Sequence, residues 1–263
     1  MNRPIPFDDQ SSVIKFQQGL TAGSEELFQL ILDSDCNFIS TLLKNPQMNE
    51  EHLLALLKRR DLTEELVDSI YKRNRQSLNH RTILALVKNS AASATLIRNL
   101  LPQLRLFELV DLCYLPGVTP DQKLAAERAI IQRLPTTPLG NKITLARRGT
   151  TNIIAELMKE GHPQLFEVCL GSSRLREAAI FQFLRGATAS AETISLVARH
   201  NRWNQRPNLR LVILKNHKTP EIWFTLWLPK IHTHILKQLL GTYRANPNRR
   251  RLFEAELKKR AGT

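Results

Sequence analysis

ILKNHKTPEIWFTLWLPKI, residues 213–231, holds the end of one helix, a turn and the start of the next. Asn216 follows an apolar run and a lysine, and asparagine tolerates the left-handed backbone that stops a helix. Thr219 and Pro220 then offer an N-cap and a first helical residue with its φ already set. The stretch predicts two short helices joined by a tight turn, and the same pattern recurs through most of the chain.

Upstream, Ser24 is read as the cap of SEELFQLILDS, Asn49 as that of EEHLLALLKRR and Thr63 as that of EELVDSIYKR. Each helix opens on paired glutamates, where carboxylates meet the positive end of the helix dipole, and the latter two close on lysine and arginine at the negative end. The glutamate pairs do not read as catalytic, because adjacent residues on a helix point in different directions. Further on, Thr119, Pro120 and Gln122 supply a cap, a first-position proline and a capping-box partner. Pro135 ends that helix, and Thr137 with Pro138 begins another that runs to Gly149.

The spacing of these stops sets a register. Asn45, Arg60, Asn74 and Asn89 lie 15, 14 and 15 residues apart, and Gly171, Gly186, Asn201 and Asn216 lie 15 apart throughout. Three short helices then make a unit of 44–45 residues, the length of armadillo and HEAT repeats. Apolar residues recur at steps of three and four, the stripe of a helix with one buried face. Between Asn89 and Gly171 the period slips, since 82 residues are not two units. About seventeen helices and no strand predict an all-α chain, a right-handed α-solenoid. Residues 1–23 read as an irregular segment and 24–263 as a single helical-repeat domain with a basic carboxy-terminal quarter, 199–263.

Composition agrees with a folded chain. The 263 residues are 42% hydrophobic and 24% charged, ordinary globular values. At this length roughly 75% of the unfolded surface can be buried, so no disulfide or metal is needed to hold the fold. Cys36, Cys113 and Cys169 are odd in number and lie far apart among apolar neighbours, which reads as free buried thiols in a reducing compartment. The opening MNRPIPFDDQ lacks the apolar core of a secretory signal, and no stretch approaches the ~18 apolar residues of a membrane span. A cytoplasmic location is expected.

Leu-Lys-Asn-Pro at 43–46, Val-Lys-Asn-Ser at 87–90 and Leu-Lys-Asn-His-Lys-Thr-Pro at 214–220 resemble the bacterial leucine-rich-repeat-variant and HEAT-like α-solenoids, over roughly residues 40–245. The resemblance implies a solenoid that binds other macromolecules. It implies no cofactor, because the amino-terminal cysteine cluster that some repeat-variant proteins use for an iron–sulfur centre is absent here. One branch, the HEAT-like alkylpurine DNA glycosylases, binds DNA on a concave basic face, and none of that branch's catalytic residues finds a match in this chain.

Charge carries the functional reading. The formal net charge of +14 is uneven: 1–60 hold six basic and eight acidic residues, 61–198 seventeen and thirteen, and 199–263 fifteen and three. Such a one-signed stretch attracts polyanions. Arg199, Arg202, Arg206 and Arg210 would share one face of a continuous helix, but Pro207 breaks it. They are therefore placed in the loop HNRWNQRPN and the first turn after it, where backbone phosphates can be met without reading sequence. Lys215 and Lys218 extend the surface, and Arg249, Arg250 and Arg251 add to it. Trp203, between Arg202 and Asn204, reads as an exposed aromatic able to stack on a base or fill a partner's pocket. Trp223 and Trp227, four apart on one helix, read as core, and NPNRRRLFEAELKKRAGT reads as an amphipathic last helix with Leu252, Phe253, Ala255 and Leu257 partly buried.

Catalytic patterns are missing. The chain has no HExxH, CxxC, GxSxG or glycine-rich phosphate loop. His232 and His234 would diverge by about 200° on a helix, and His200 and His217 stand at helix ends. The expectation is a non-enzymatic interaction module with no cofactor or metal, holding an acidic protein or a nucleic acid through Arg199, Arg202, Trp203, Arg206, Arg210, Lys215 and Lys218. An anionic membrane surface fits less well. The alternative is a nucleic-acid-binding protein or a HEAT-like repair enzyme of the glycosylase type.

Overall fold

The structure, a computed structural model, describes residues 7–76, 78–244 and 246–261. Those residues are all-helical, with no strand among them. The chain forms two compact units, Met1–Gln132 and Arg133–Thr263, and the division falls in the stretch where the sequence period slips.

The first unit holds α1 (Phe7–Thr21), α2 (Ser24–Leu30), α3 (Cys36–Leu42), α4 (Glu50–Leu57), α5 (Glu64–Asn74), α6 (His80–Lys88), α7 (Ala94–Leu100) and α8 (Leu106–Tyr114), and α9 (Pro120–Arg133) closes it. The second holds α10 (Leu139–Arg148), α11 (Thr151–Lys159), α12 (Pro163–Gly171), α13 (Glu177–Arg185), α14 (Ala191–Arg199), α15 (Pro207–Lys215), α16 (Glu221–Trp227), α17 (Thr233–Thr242) and α18 (Pro247–Ala261). The stretch read as irregular thus carries α1, while residues 1–6 lie outside the described residues. Tertiary packing explains that helix: Phe16 meets Phe38 edge-on at 5.6 Å, and a Cβ at Gly19 would come within 2.7 Å of Leu42. Glycine is what lets α1 lie this close to α3.

Many of the expected helix starts hold. Asn49 Oδ1 accepts from the Glu51 and His52 amides, Thr63 accepts from Leu66, and Thr119 and Gln122 close a reciprocal capping box. Two starts differ. Ser24 is already helical, with Gly23 at the cap, and Pro220 rather than Thr219 precedes α16. Thr219 is buried, and its hydroxyl donates back to the Ile213 carbonyl at 2.5 Å. A buried hydroxyl needs such a partner, and the end of α15 offers one.

The helix stops work by another mechanism than the one expected. Among the described residues only Gly117 and Gly161 have positive φ, at 86° and 69°. Asn89 and Asn216 instead sit in extended backbone, with φ of −72° and −80°. Their side chains make the turn. Oδ1 accepts from the amide two residues on, Ala91 or Lys218, while Nδ2 reaches a helix end in the preceding layer.

Helices pack on the next element and on the next but one. In the first unit α1 meets α3, α2 meets α4, α3 meets α5 and α4 meets α6; in the second α10 meets α12, α11 meets α13, α12 meets α14 and α13 meets α15. In these runs each helix therefore touches the helix two further on. The stops about fifteen residues apart mark single helices, and the side chain that closes one layer on the last lies two helices away.

Candidate anionic-partner surface

The last residues of a helix leave carbonyl groups without partners inside the helix. In this chain those groups are met by donors from further along. Asn45 donates to Gly19 and Ala22, Asn89 to Leu57 and Arg59, and Asn216 to Leu184, each at 2.7–3.0 Å. Arginine and lysine do the same work. Arg249 reaches the carbonyls of Asn216, His217 and Thr219, and Arg260 those of Leu228, Pro229 and Ile231. A cation suits the place, because the dipole leaves the helix end negative.

The predicted surface is partly made of these clasps. Arg202 donates to Ser172 and Leu175 at 2.9 and 3.3 Å, just past the end of α12. Arg210 Nε donates to the Asn204 carbonyl, and its guanidinium lies 5.6 Å from the Trp227 ring. Lys218 Nζ donates to Ala187 and Ala189, both at 2.8 Å, beyond the end of α13. Arg206 precedes α15 as its cap residue and pairs at 3.9 Å with Glu177, the first residue of α13. Arg199 and Lys215 are exposed, and among the described residues neither has a hydrogen-bond or ion-pair partner. Lys215 and Lys218 meet at a cleft of about 480 Å³ between α13 and α15, where Arg185 joins them over a floor of Leu211 and Val212.

Trp203 is a correction. It is 2% exposed, and its indole Nε1–H donates to the Leu170 carbonyl at 3.0 Å. Its ring fills the space under the turn while Arg202 covers it at 4.3 Å, so no aromatic is offered to a base or to a partner's pocket. The polar neighbours misled because three successive residues of a turn point in different directions. The signal that finds this site is register: Trp203 stands 33 residues after the carbonyl it meets, and Asn216 stands 32 after its own.

Trp227 is buried, as the core reading has it, whereas Trp223 is half-buried, donating to the Ser195 hydroxyl at 3.0 Å and packing on Trp227 at 5.2 Å. His232 and His234 do not diverge. Their rings stack at 5.9 Å, because His232 caps α17 from outside the helix. No group of three metal-binding side chains occurs among the described residues. Burial, with Arg202 beside it, holds His200 below its ordinary value, against a smaller opposing pull from Glu167.

A hydrogen bond to a neutral carbonyl uses a donor but leaves the charge standing. Of the three acidic residues in 199–263, Glu254 pairs with Arg250 at 2.7 Å and Glu256 with Arg260 at 2.8 Å. Among the described residues Arg206 is the one cation of the predicted surface from Arg199 to Lys218 with an ion-pair partner. No helix among the described residues is long and apolar enough to cross a membrane. Comparison with protein-family models and with curated proteins returned no match to this chain.

Proposed function

We propose that the chain is a non-enzymatic helical-repeat module, an α-solenoid of the HEAT-like and leucine-rich-repeat-variant kind, that holds an acidic protein partner through the basic surface of 199–263. The observation that carries this reading is a surface whose cations from Arg199 to Lys218, Arg206 apart, either bond to neutral carbonyls or have no partner among the described residues, and so keep their charge. Arg199, Arg206 and Lys215 have the exposed groups that a partner's carboxylates can reach, and the cleft beside Lys215 and Lys218 takes an apolar side chain. With Trp203 buried, the aromatic that would favour single-stranded nucleic acid is gone. A repeat of two helices fits the packing step better than one of three.

The test is fluorescence anisotropy of a labelled acidic peptide and of a DNA duplex of equal net charge, at low and near-physiological salt. Charge reversal belongs at Arg199, Arg206 and Lys215, because reversing Arg202 or Arg210 would also strip backbone carbonyls of their donor. Peptide binding that survives near-physiological salt and is lost in the variant supports the proposal. Duplex binding at least as tight as the peptide, with a steep logarithmic salt slope, would move the function to nucleic acid.

A further inference from the structure

A second basic site lies in the first unit, where the segment totals of charge give no hint of it. A cleft of about 540 Å³ opens between α4 and α6, along the length of α6, and is bounded by the turn 115–117. That volume is in the range of small-ligand sites. Leu54 and Leu84, both half-exposed, form its apolar floor. Lys58, Arg59, Arg60, Arg81 and Lys88 line it, and no carboxylate does. Arg59 is committed to the fold: it pairs with Asp61 at 2.6 Å and donates to the Ile31 and Asp33 carbonyls. The other four have no hydrogen-bond or ion-pair partner among the described residues, and Lys58, Arg60 and Arg81 are exposed. The Arg60 guanidinium turns toward Gly117, 3.9 Å from where a Cβ would stand.

The cleft between α13 and α15 is the internal control. One constant offset in numbering superposes the two: Leu57 on Leu184, Lys58 on Arg185, Leu84 on Leu211, Lys88 on Lys215 and Asn89 on Asn216. The clasp is the same, with Asn89 on the Leu57 carbonyl at 2.9 Å and Asn216 on that of Leu184 at 2.7 Å. Yet the positions of Arg59, Arg60 and Arg81 are taken by Gly186, Ala187 and Asn208. Packing can therefore build this cleft without the added guanidinium groups. Arg60 and Arg81 make no bond that the fold requires, and they add like charge beside Lys58 and Lys88, which costs stability unless something negative sits among them. Several cations, two of them planar forks, suit phosphate oxygens better than a single carboxylate, and the leucine floor suits an uncharged body.

We propose that the α4–α6 cleft is a binding site for a small organic polyphosphate, its phosphates held by Lys58, Arg60, Arg81 and Lys88 and its uncharged body laid on Leu54 and Leu84. The body can be the base of a nucleotide or an aliphatic chain.

Isothermal titration calorimetry of the full chain at near-physiological salt separates the two, with ATP, geranyl diphosphate and inorganic diphosphate as probes. One of the organic probes should bind saturably at one site, the tighter of the two naming the source, and inorganic diphosphate should bind at least tenfold more weakly. An Arg60→Gln/Arg81→Gln variant should lose at least tenfold in affinity with its circular dichroism unchanged and its thermal midpoint no lower than the parent's. Arg185→Gln, in the sister cleft, should stay within twofold of the parent. No saturable binding of either organic probe overturns the proposal. So does equal weakening by both variants, which would mean nonspecific charge, and so does inorganic diphosphate binding as tightly as the organic probes. The proposed partner surface of 199–263 is not involved, so either proposal can fail alone.

Discussion

Trp203 donates its indole proton to the carbonyl of Leu170, 33 residues earlier, at 3.0 Å and with only 2% of the side chain exposed. Leu170 is one of the last residues of α12, so its carbonyl lacks a partner inside its own helix. Replacing Trp203 by Phe keeps most of the buried ring and orphans that carbonyl, which costs about 1–3 kcal/mol. Replacing it by Ala also empties the space and costs about 3–5 kcal/mol. Urea unfolding checks both, and a Trp203→Phe variant as stable as the parent would show that the hydrogen bond contributes nothing.

Asn216 tests how the helices stop. A left-handed stop would favour glycine. With φ at −80° and the side chain bonded to both the Leu184 carbonyl and the Lys218 amide, Asn216→Ala should instead lose about 1–3 kcal/mol. Asn216→Gly should lose more than Asn216→Ala, because glycine adds backbone entropy to the unfolded chain. The order of the two midpoints in denaturant decides it, and glycine above alanine would restore the left-handed mechanism.

Arg249 and Arg251 stand two residues apart and should part company. Arg249 meets three carbonyls and lies 5.0 Å from the Phe224 ring, whereas Arg251 is exposed. Arg249→Ala is expected to lower stability by about 2–3 kcal/mol, as for hydrogen bonds to a charged group. Arg251→Ala should leave the unfolding midpoint where it is. Both remove one positive charge, so binding to an anionic resin should fall by similar amounts. Equal midpoints for the two variants would contradict the clasp.

Much of this helical arrangement is legible in the sequence because caps and apolar stripes are local. Asn49, Thr63 and the Thr119–Gln122 box announce their helices within four residues. What joins one layer to the last is not local: the partners of Asn89, Arg202 and Trp203 lie 27–33 residues away. A polar turn therefore reads as exposed when its tryptophan is buried. The α4–α6 cleft stayed hidden for a similar reason. Lys58 and Arg60 follow the end of α4, whereas Arg81 lies in the first turn of α6 and Lys88 ends it, and acidic residues elsewhere offset them in sums over long segments.

His200 gives the fold an acid limit. Burial and the neighbouring Arg202 hold its pKa below the ordinary 6.5, so the folded state binds the proton less readily than the unfolded chain. The stability tied to the neutral ring is present above about pH 6.5 and is lost as pH falls below it, since the unfolded state then takes up the proton. Urea midpoints at pH 7.5 and 5.5 should show a smaller acid-side loss in His200→Gln than in the parent. An identical loss in both would assign the acid sensitivity to other groups.

The three thiols differ in burial. Burial pushes both Cys113 and Cys169 up to about 12, so neither offers a thiolate near neutral pH, while Cys36 at the start of α3 is half-exposed. The thiolate is the reactive form, and a buried thiol must also wait for the fold to open. In the native protein an aromatic disulfide reagent should therefore titrate one thiol, lost in Cys36→Ser, and all three only in denaturant. Rapid reaction of two or more native thiols would mean that the helices around Cys113 or Cys169 open far more readily than their packing implies.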